Sequence, residues 1–230
     1  MNTRILCTAL CIMAPGLALA GGSVEVTFVD HITAGMVEQD VFVTRDGSDD
    51  VFRVTTEDQA DYLENVVFAT TGELAHDPVN MAAVGPFSKG KDLGFTLGSW
   101  LSATGSGSVS CTDGQGALSA SFTGLVPEGV YSMWLFYLAI PFAEPWATYD
   151  LPFGARDGSE SLFTADASGN ASFEGSVGTC LQGSGSQIAE GLAIAYHSDG
   201  EGHGPHMGPA GADAHVHLFL LLPPSADMPS

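Results

Sequence analysis

Positive charge is scarce in this chain. Its 230 residues contain 6 Lys and Arg against 27 Asp and Glu, which gives a formal net charge of −21 at pH 7. Nucleic-acid-binding proteins neutralise phosphates with clustered basic residues, and attraction to anionic lipid also depends on Lys and Arg. The composition therefore predicts an acidic, soluble protein that binds neither nucleic acid nor an anionic membrane surface.

Motifs of the common enzyme classes are missing as well. The chain has no Gly-x-Ser-x-Gly elbow, no His-Glu-x-x-His pair and no glycine-rich phosphate loop. Such motifs position a nucleophile, a catalytic zinc ion and a nucleotide phosphate, respectively. Their absence favours a non-enzymatic binding or structural protein, and no catalytic residue is assigned from the sequence.

Long apolar runs are absent after the first twenty residues. At the N terminus, Arg4 precedes an apolar run over residues 5–19, and Ala18 and Ala20 form a small-x-small cleavage site. This pattern predicts a secretory signal peptide at residues 1–20 and hence a secreted or periplasmic protein. The run is short for a transmembrane helix. We therefore expect no membrane insertion once the signal peptide is removed.

Cysteine is rare, with four residues in the whole chain, and Cys7 and Cys11 lie within the predicted signal peptide. The remaining pair, Cys111 and Cys180, is expected to form a disulfide in an oxidising compartment, the alternative being two free thiols. The bridge would close a loop of about 70 residues and stabilise the fold by roughly 4 kcal/mol. A catalytic cysteine is not expected.

Short strand signals dominate the rest of the sequence. Residues 23–29 alternate between polar and apolar side chains, as a half-buried strand does. Similar segments recur about every 10 residues between glycine-rich turns. The pattern predicts a mainly β fold, an antiparallel β-sandwich or barrel, as a single domain over residues 21–222 with a flexible tail at residues 223–230.

Helical signals are confined to two places. Ala60, Leu63 and Val67 recur at helical spacing, which predicts one short helix near residues 57–69. The segment 97–101 is expected to form a single turn that buries Trp100. With so little helix, the core is expected to form between sheets.

Histidine, by contrast, is concentrated near the C terminus, where five of the seven histidines fall within about twenty residues. Imidazole is a preferred ligand of zinc and copper at neutral pH. The cluster therefore predicts a Cu or Zn site, and its candidate ligands are His197, His203, His206, His215 and His217.

Strand periodicity predicts how these histidines meet. Successive side chains of a strand point to opposite faces, and the apolar residues at positions 216, 218, 220 and 222 alternate with His215 and His217. These two histidines are therefore expected to share the opposite face, and pairing with the preceding strand would bring His197 to that face.

The loop between the two strands offers further ligands. Copper would favour His206 and Met207, whereas zinc would favour Asp199 or His203. The alternative is that the strand histidines are structural, hydrogen-bonded residues and that the loop histidines are solvated.

Three stretches cover much of the chain from Gly85 onward: GPFSKG at 85–90 with LGFTLGSWL at 93–101, FTGLVPEGVYSMW at 122–134, and AIAYHSDG at 193–200 with His215 and Val216. They resemble a loosely defined group of secreted prokaryotic proteins that has no established activity. The resemblance implies export and a β-sandwich fold, without a catalytic assignment. It also implies matches to His197 and His215 rather than to the other histidines of the cluster.

The tripeptide His215-Val216-His217 is similar to the copper-binding His-Val-His of copper–zinc superoxide dismutases. The likeness implies copper ligation by these two histidines, and it is confined to the three residues. In that family the pair lies early in the chain and further ligands follow it, whereas no histidine follows His217.

Together these features predict an exported, non-enzymatic binding or structural protein, with a Cu or Zn site as the sharper form of that hypothesis. One alternative is an extracytoplasmic metalloenzyme, redox or hydrolytic, with Glu201 and Asp213 as the nearby acid or base. The other is a surface carbohydrate or matrix binder that uses Trp134 and Trp146.

Overall fold

Strands make up most of the described structure, so the mainly β prediction is confirmed. A computed structural model describes residues 22–34, 38–45, 48–74, 84–139, 149–181 and 188–222. The predicted signal peptide, the predicted tail and Trp146 lie outside these residues. The described strands are β1 Ser23–Phe28, β2 Glu38–Thr44, β3 Asp50–Thr55, β4 Val66–Thr70, β5 Phe87–Thr96, β6 Thr104–Thr112, β7 Gln115–Thr123, β8 Val130–Ala139, β9 Tyr149–Pro152, β10 Leu162–Thr164, β11 Ala171–Val177, β12 Ile188–His197 and β13 Ala214–Leu221.

The first sheet has the strand order β1-β6-β7-β11, and all neighbours are antiparallel. Its strands alternate as expected, since in β7 Leu118 and Phe122 are buried whereas Ser119 and Ser121 are exposed. Phe122 stacks on Phe163 of β10 with 5.6 Å between ring centroids. The apolar face of this sheet therefore packs against the second sheet.

The second sheet has the order β10-β8-β12-β13, and β9 pairs with β8. β9 and β10 lie end to end on the same edge of β8, because they pair with different parts of it. On its other edge β8 pairs with β12 over ten consecutive residues. Strand β12 is thus held on both sides, and Leu192 and Ile194 within it are fully buried.

Strands β2, β3, β5 and β4 close into a small barrel. Buried residues of this barrel, among them Val41, Val54 and Val67, belong to the same hydrophobic cluster as Phe122 and Leu218 of the two sheets. Burial of such a side chain contributes roughly 1.5–3 kcal/mol. One continuous core therefore connects the barrel with both sheets.

The predicted disulfide is present between Cys111 of β6 and Cys180, just after β11. Strand β7 lies between these two strands in the sheet, and its residue Gly116 donates its N–H to the carbonyl oxygen of Thr179 at 2.8 Å. The bridge joins positions 69 residues apart. It fastens the segment after β11 to the end of the β6–β7 hairpin.

The helix predicted near residues 57–69 is replaced by a short 3-10 turn, Gln59–Tyr62, and by strand β4. Val67 and Ala69 are both fully buried, and their spacing of two residues is the period of a strand. Leu63, which was expected to face the core, is 40% exposed. Pairing with β5 satisfies the backbone of this segment. Sheet pairing with β-branched residues has therefore overridden the helical spacing.

The single α-helix of the described residues is α1, Leu97–Leu101, at the predicted turn. The hydroxyl of Thr96 caps it by accepting the N–H of Ser99 at 3.2 Å. Trp100 is 1% exposed, as predicted. Among the described residues, no helix is long and apolar enough to cross a membrane.

Strand β13 connects the two sheets and the barrel. It is the end strand of its sheet, so its outer edge carries backbone groups that β12 cannot satisfy. Phe219 exchanges two backbone hydrogen bonds with Val29, just after β1, at 2.7 and 2.8 Å. Further along, the Asp40 carboxylate of β2 accepts the N–H of Val216 at 2.9 Å.

The Asp40 carboxylate is buried and ionised. Its other oxygen accepts a hydrogen bond from Nη1 of Arg53 at 2.7 Å. Burial acts to raise the pKa of Asp40, but the charge of Arg53 and the hydrogen bond from Val216 contribute to a net lowering. Asp40 therefore anchors β13 as a charged acceptor.

Replacing Asp40 by Asn is expected to destabilise the fold by about 3 kcal/mol, because the largely buried Arg53, with 15% of its side chain exposed, loses its ionic partner. Urea unfolding at neutral pH measures this loss. The matched control is Asp213→Asn, which removes a more exposed pair with Lys91 and should cost less than about 1 kcal/mol. Equal losses in both variants would contradict an anchoring role for the Asp40 charge.

Candidate metal centre

A β-bulge in the last hairpin decides where the C-terminal histidines point. The register of β12 and β13 shifts by one residue, and His217 is the extra residue without a partner. Such a bulge re-aims side chains along the strand. Val216 consequently leaves the face of Leu218 and joins a smaller hydrophobic cluster with Phe136. The expectation that positions 216, 218, 220 and 222 share one face is therefore wrong.

His217 lies inside the main core, with its ring stacked on Trp100 at 3.5 Å between centroids. Its Nε2 is 2.8 Å from the Trp100 carbonyl oxygen, which can only accept, so Nε2 carries the hydrogen and donates it. Nδ1 then accepts from the Tyr131 hydroxyl at 3.2 Å. Both ring nitrogens are thus used in structural hydrogen bonds.

His215 is held in a similar way. Its Nδ1 donates to the backbone carbonyl oxygen of Asp40 at 3.0 Å. Its Nε2 accepts from the hydroxyl of Ser198 at 3.2 Å. The ring is fully buried, so His215 joins β13 to β2 and the start of the adjoining loop.

The expected common face of the three strand histidines does not exist. His215 lies directly opposite Tyr196 in the β12–β13 pair, and residues opposite each other point to the same face. His197, the next residue after Tyr196, points to the other face. The bulge places His217 in the core together with His215, so the structure does not bring the five predicted ligands together.

His197 reaches a different set of partners. It is 1% exposed, and its Nε2 lies 2.7 Å from the hydroxyl oxygen of Ser132 in β8. Among the described residues, its Nδ1 is buried and has no hydrogen-bond partner. A buried polar atom without a partner costs about 1–3 kcal/mol, so it marks a place where a further partner is expected.

Two residues of the following loop lie beside His197. One donor atom from each of His197, Asp199 and His203 lies within 4.8 Å of the other two. Nε2 of His203 is 3.1 Å from Oδ2 of Asp199, yet it is buried and makes no aligned hydrogen bond within the described chain. This is the one group of three or more possible metal ligands that the described ranges contain.

The loop of residues 198–213 is well anchored for such a site. The N–H of Ser198 donates to the carbonyl oxygen of Asp213 at 2.8 Å and closes the base of the loop. Gly158 packs so closely against the backbone of Gly204 that any side chain there would collide with it. Backbone contacts at its base and with Gly158 therefore hold the loop that carries Asp199 and His203.

The turn at residues 199–201 orients the carboxylate of Asp199. Its Oδ1 accepts the N–H of Glu201 at 3.1 Å, which leaves Oδ2 facing His203. About a quarter of each side chain is exposed, 27% for Asp199 and 25% for His203. The group therefore lies at the edge of the protein, where solvent can supply further ligands.

The other loop candidates are placed elsewhere. His206 is exposed and is not part of the three-residue group. Met207 packs against the cluster that contains Val216 and Phe136. Of the ligands that copper would favour, His206 is thus outside the group, whereas the ligands that zinc would favour are beside His197.

Burial keeps the strand histidines neutral. It lowers the pKa of His217 to about 3 against the opposing hydrogen bond to Trp100. It also lowers the pKa of His197 to about 4, with His203 adding to the shift and Asp199 opposing it. A neutral imidazole is the form that binds a metal ion.

The chain Ser132–His197–Asp199 has the composition of a hydrolase triad, but it cannot act as one. Ser132 is 1% exposed, and its oxygen also accepts the indole N–H of Trp134 at 2.6 Å. A nucleophile must reach its substrate. Ser132 therefore serves the structure around His197 and not acyl transfer.

The structure places three of the remaining sequence candidates. Trp134 is 2% exposed and cannot stack on a sugar, and Trp146 lies outside the described residues. Asp213 pairs with Lys91 at 3.3 Å. Glu201 is exposed, and its described contact with the group is through its backbone N–H.

Sequence reasoning did not find Ser132 and placed Asp199 among several alternatives. A serine in a strand carries no signal of its own, and its role depends on the pairing of β8 with β12. For Asp199, the spacing His197-x-Asp199 and the i, i+4 relation to His203 were the available signals.

Comparisons of the chain with protein-family models, with curated proteins and with solved structures gave no match. The resemblance to secreted prokaryotic proteins therefore stays a prediction. Function has to be argued from the site itself.

The buried histidines should make the free energy of unfolding depend on pH. Because the pKa of folded His217 is about 3 and its usual value is 6.5, the unfolded chain binds more protons between these pH values, and acidification favours unfolding. In His217→Gln, the fall in unfolding free energy from pH 7 towards pH 4 should be shallower by up to about 1.4 kcal/mol per pH unit. Urea unfolding over that range measures the slope. Parallel pH curves for the variant and the original protein would refute the role of His217.

Proposed function

We propose that this chain is an exported binding protein that holds a divalent transition-metal ion through His197, Asp199 and His203. The observation that carries the proposal is that Nδ1 of His197 and Nε2 of His203 are buried without an aligned hydrogen bond, in a group whose donor atoms, with Asp199, lie within 4.8 Å of one another. An ion among them would satisfy all three groups at once. With zinc–ligand distances of about 2.0–2.2 Å, the ligand atoms of a tetrahedral site lie about 3.4 Å apart, so the widest separation in the group, at most 4.8 Å, would have to shorten by up to about 1.4 Å.

Zinc is the metal that these donors favour. Two imidazoles and one carboxylate are a common zinc ligand set. The separate positions of His206 and Met207 speak against a copper site with additional soft or imidazole ligands. Copper(II) still binds most nitrogen and oxygen sites more tightly than zinc, so both ions belong in the experiment.

The proposed site is an exchangeable one. Three protein ligands and the partial exposure of Asp199 and His203 leave at least one coordination position for water or another ligand. The described fold is held by the disulfide, the common core and the His215 and His217 hydrogen bonds, none of which includes the proposed ion. We therefore expect the protein to fold without metal.

Export is supported by two features of the chain. Residues 1–20 have the pattern of a signal peptide, and Cys111 and Cys180 form the kind of bond that persists in oxidising compartments. A secreted or periplasmic protein with an exchangeable metal site is suited to binding or carrying the ion. The metalloenzyme alternative would require a side-chain acid or base beside the site, and the described contact of Glu201 with it is through the backbone.

The first test is metal affinity. The purified protein should bind one zinc ion per chain, and His203→Ala should weaken binding by at least 10–100-fold, roughly the range found for lesser changes around metal sites. Competition titration with a zinc chelator and the same titration with copper(II) give the two affinities. Elemental analysis gives the stoichiometry.

The matched control is His206→Ala, which removes an imidazole from the same loop but outside the three-residue group. Its affinity should equal that of the original protein. Equal weakening in both variants would indicate diffuse binding by the loop. No binding above background would refute the proposed function.

A further inference from the structure

We infer that Ser132 is the positioning residue of the metal site: it fixes the ring of His197 and accepts the hydrogen of Nε2 when Nδ1 receives the ion. This inference rests on the proposed function. It adds a residue of another strand, β8, that is not itself a ligand.

The first step concerns the donors around the serine hydroxyl. The indole nitrogen of Trp134 carries a hydrogen and can only donate, so at 2.6 Å it uses one lone pair of the Ser132 oxygen. The hydroxyl oxygen keeps a second lone pair and its own hydrogen. At 2.7 Å from Nε2 of His197, it can therefore either accept from the ring or donate to it.

The second step concerns the ring. A neutral imidazole carries one hydrogen, and the nitrogen without it is the one that can bind a metal ion. If Ser132 donates to Nε2, the hydrogen lies on Nδ1 and blocks the site. If Nε2 donates to Ser132, the lone pair of Nδ1 is free for an ion shared with Asp199 and His203. Binding of an ion thus requires Ser132 as an acceptor, with its oxygen taking hydrogens from both Trp134 and His197.

The third step is the rigidity of this arrangement. Ser132 and His197 are each 1% exposed, and Trp134 is 2% exposed. Ser132 pairs with Ala195 in the ladder of β8 and β12, so the hydroxyl is fixed relative to the strand that carries His197. Water does not reach Nε2 in its place, because the ring is buried. Without the hydroxyl, metal binding would leave a buried N–H without an acceptor.

The test compares zinc affinity in two variants that each remove one buried hydroxyl of β8 from a histidine. Ser132→Ala removes the acceptor of His197 and should weaken zinc binding by roughly 10–100-fold. The matched control, Tyr131→Phe, removes the hydroxyl that contacts His217, which is not a proposed ligand, so the zinc affinity should equal that of the original protein. Circular dichroism and thermal unfolding establish that both variants are folded.

Nitrogen NMR of the imidazole rings gives a readout that a purely structural role would not move. In the zinc-loaded original protein, His197 should show Nδ1 bound to metal and a hydrogen on Nε2 that exchanges slowly with water. In Ser132→Ala, that hydrogen has lost its acceptor, so its resonance should lie upfield of its position in the original protein. The measurement on the original protein also decides the case if Ser132→Ala does not fold.

The failures can be told apart. Absence of zinc binding in the original protein would overturn the proposed function and this inference with it. Zinc binding that is equal in Ser132→Ala and the original protein would overturn the inference and leave the function standing. Coordination through Nε2, or equal weakening by Ser132→Ala and Tyr131→Phe, would likewise overturn the role of Ser132.

Discussion

The contact between the Asp40 carboxylate and the N–H of Val216 is the one on which the arrangement of the last strand depends. It satisfies the outer edge of β13 at 2.9 Å, next to the bulge at His217. Arg53 balances the charge that this buried acceptor brings into the fold. An end strand needs its free edge covered, and here a charged side chain of the barrel covers it.

This anchoring divides the histidines of the final hairpin into two roles. On the core side, His215 and His217 donate to backbone carbonyl oxygens and accept from hydroxyls, so each is a neutral, fully used structural residue. On the other side, His197 has one nitrogen bound to Ser132 and the other without a partner. A hydrogen-bonded histidine stabilises the fold, whereas an unpartnered one is available for a ligand.

The final hairpin therefore positions residues of the proposed metal site, whereas the fold of the hairpin does not require the ion. Strand β12 supplies His197, the anchored loop supplies Asp199 and His203, and β8 supplies Ser132. The ring of His197 is fixed by buried contacts, while the two loop ligands remain partly open to solvent. This combination of a rigid first ligand with accessible others suits an ion that enters and leaves a folded protein.

The sequence by itself determined the mainly β architecture, the Cys111–Cys180 bridge, the turn that buries Trp100 and the importance of the final hairpin, because alternation, cysteine count and histidine density are local properties of the chain. It did not determine the fate of residues 57–69, where pairing with β5 converted a helical spacing into strand β4. Nor did it determine which histidines meet. A shift of one residue reverses the faces of a strand, and the bulge that causes it belongs to the pairing of β13 with β12, beside the contact of Val216 with Asp40.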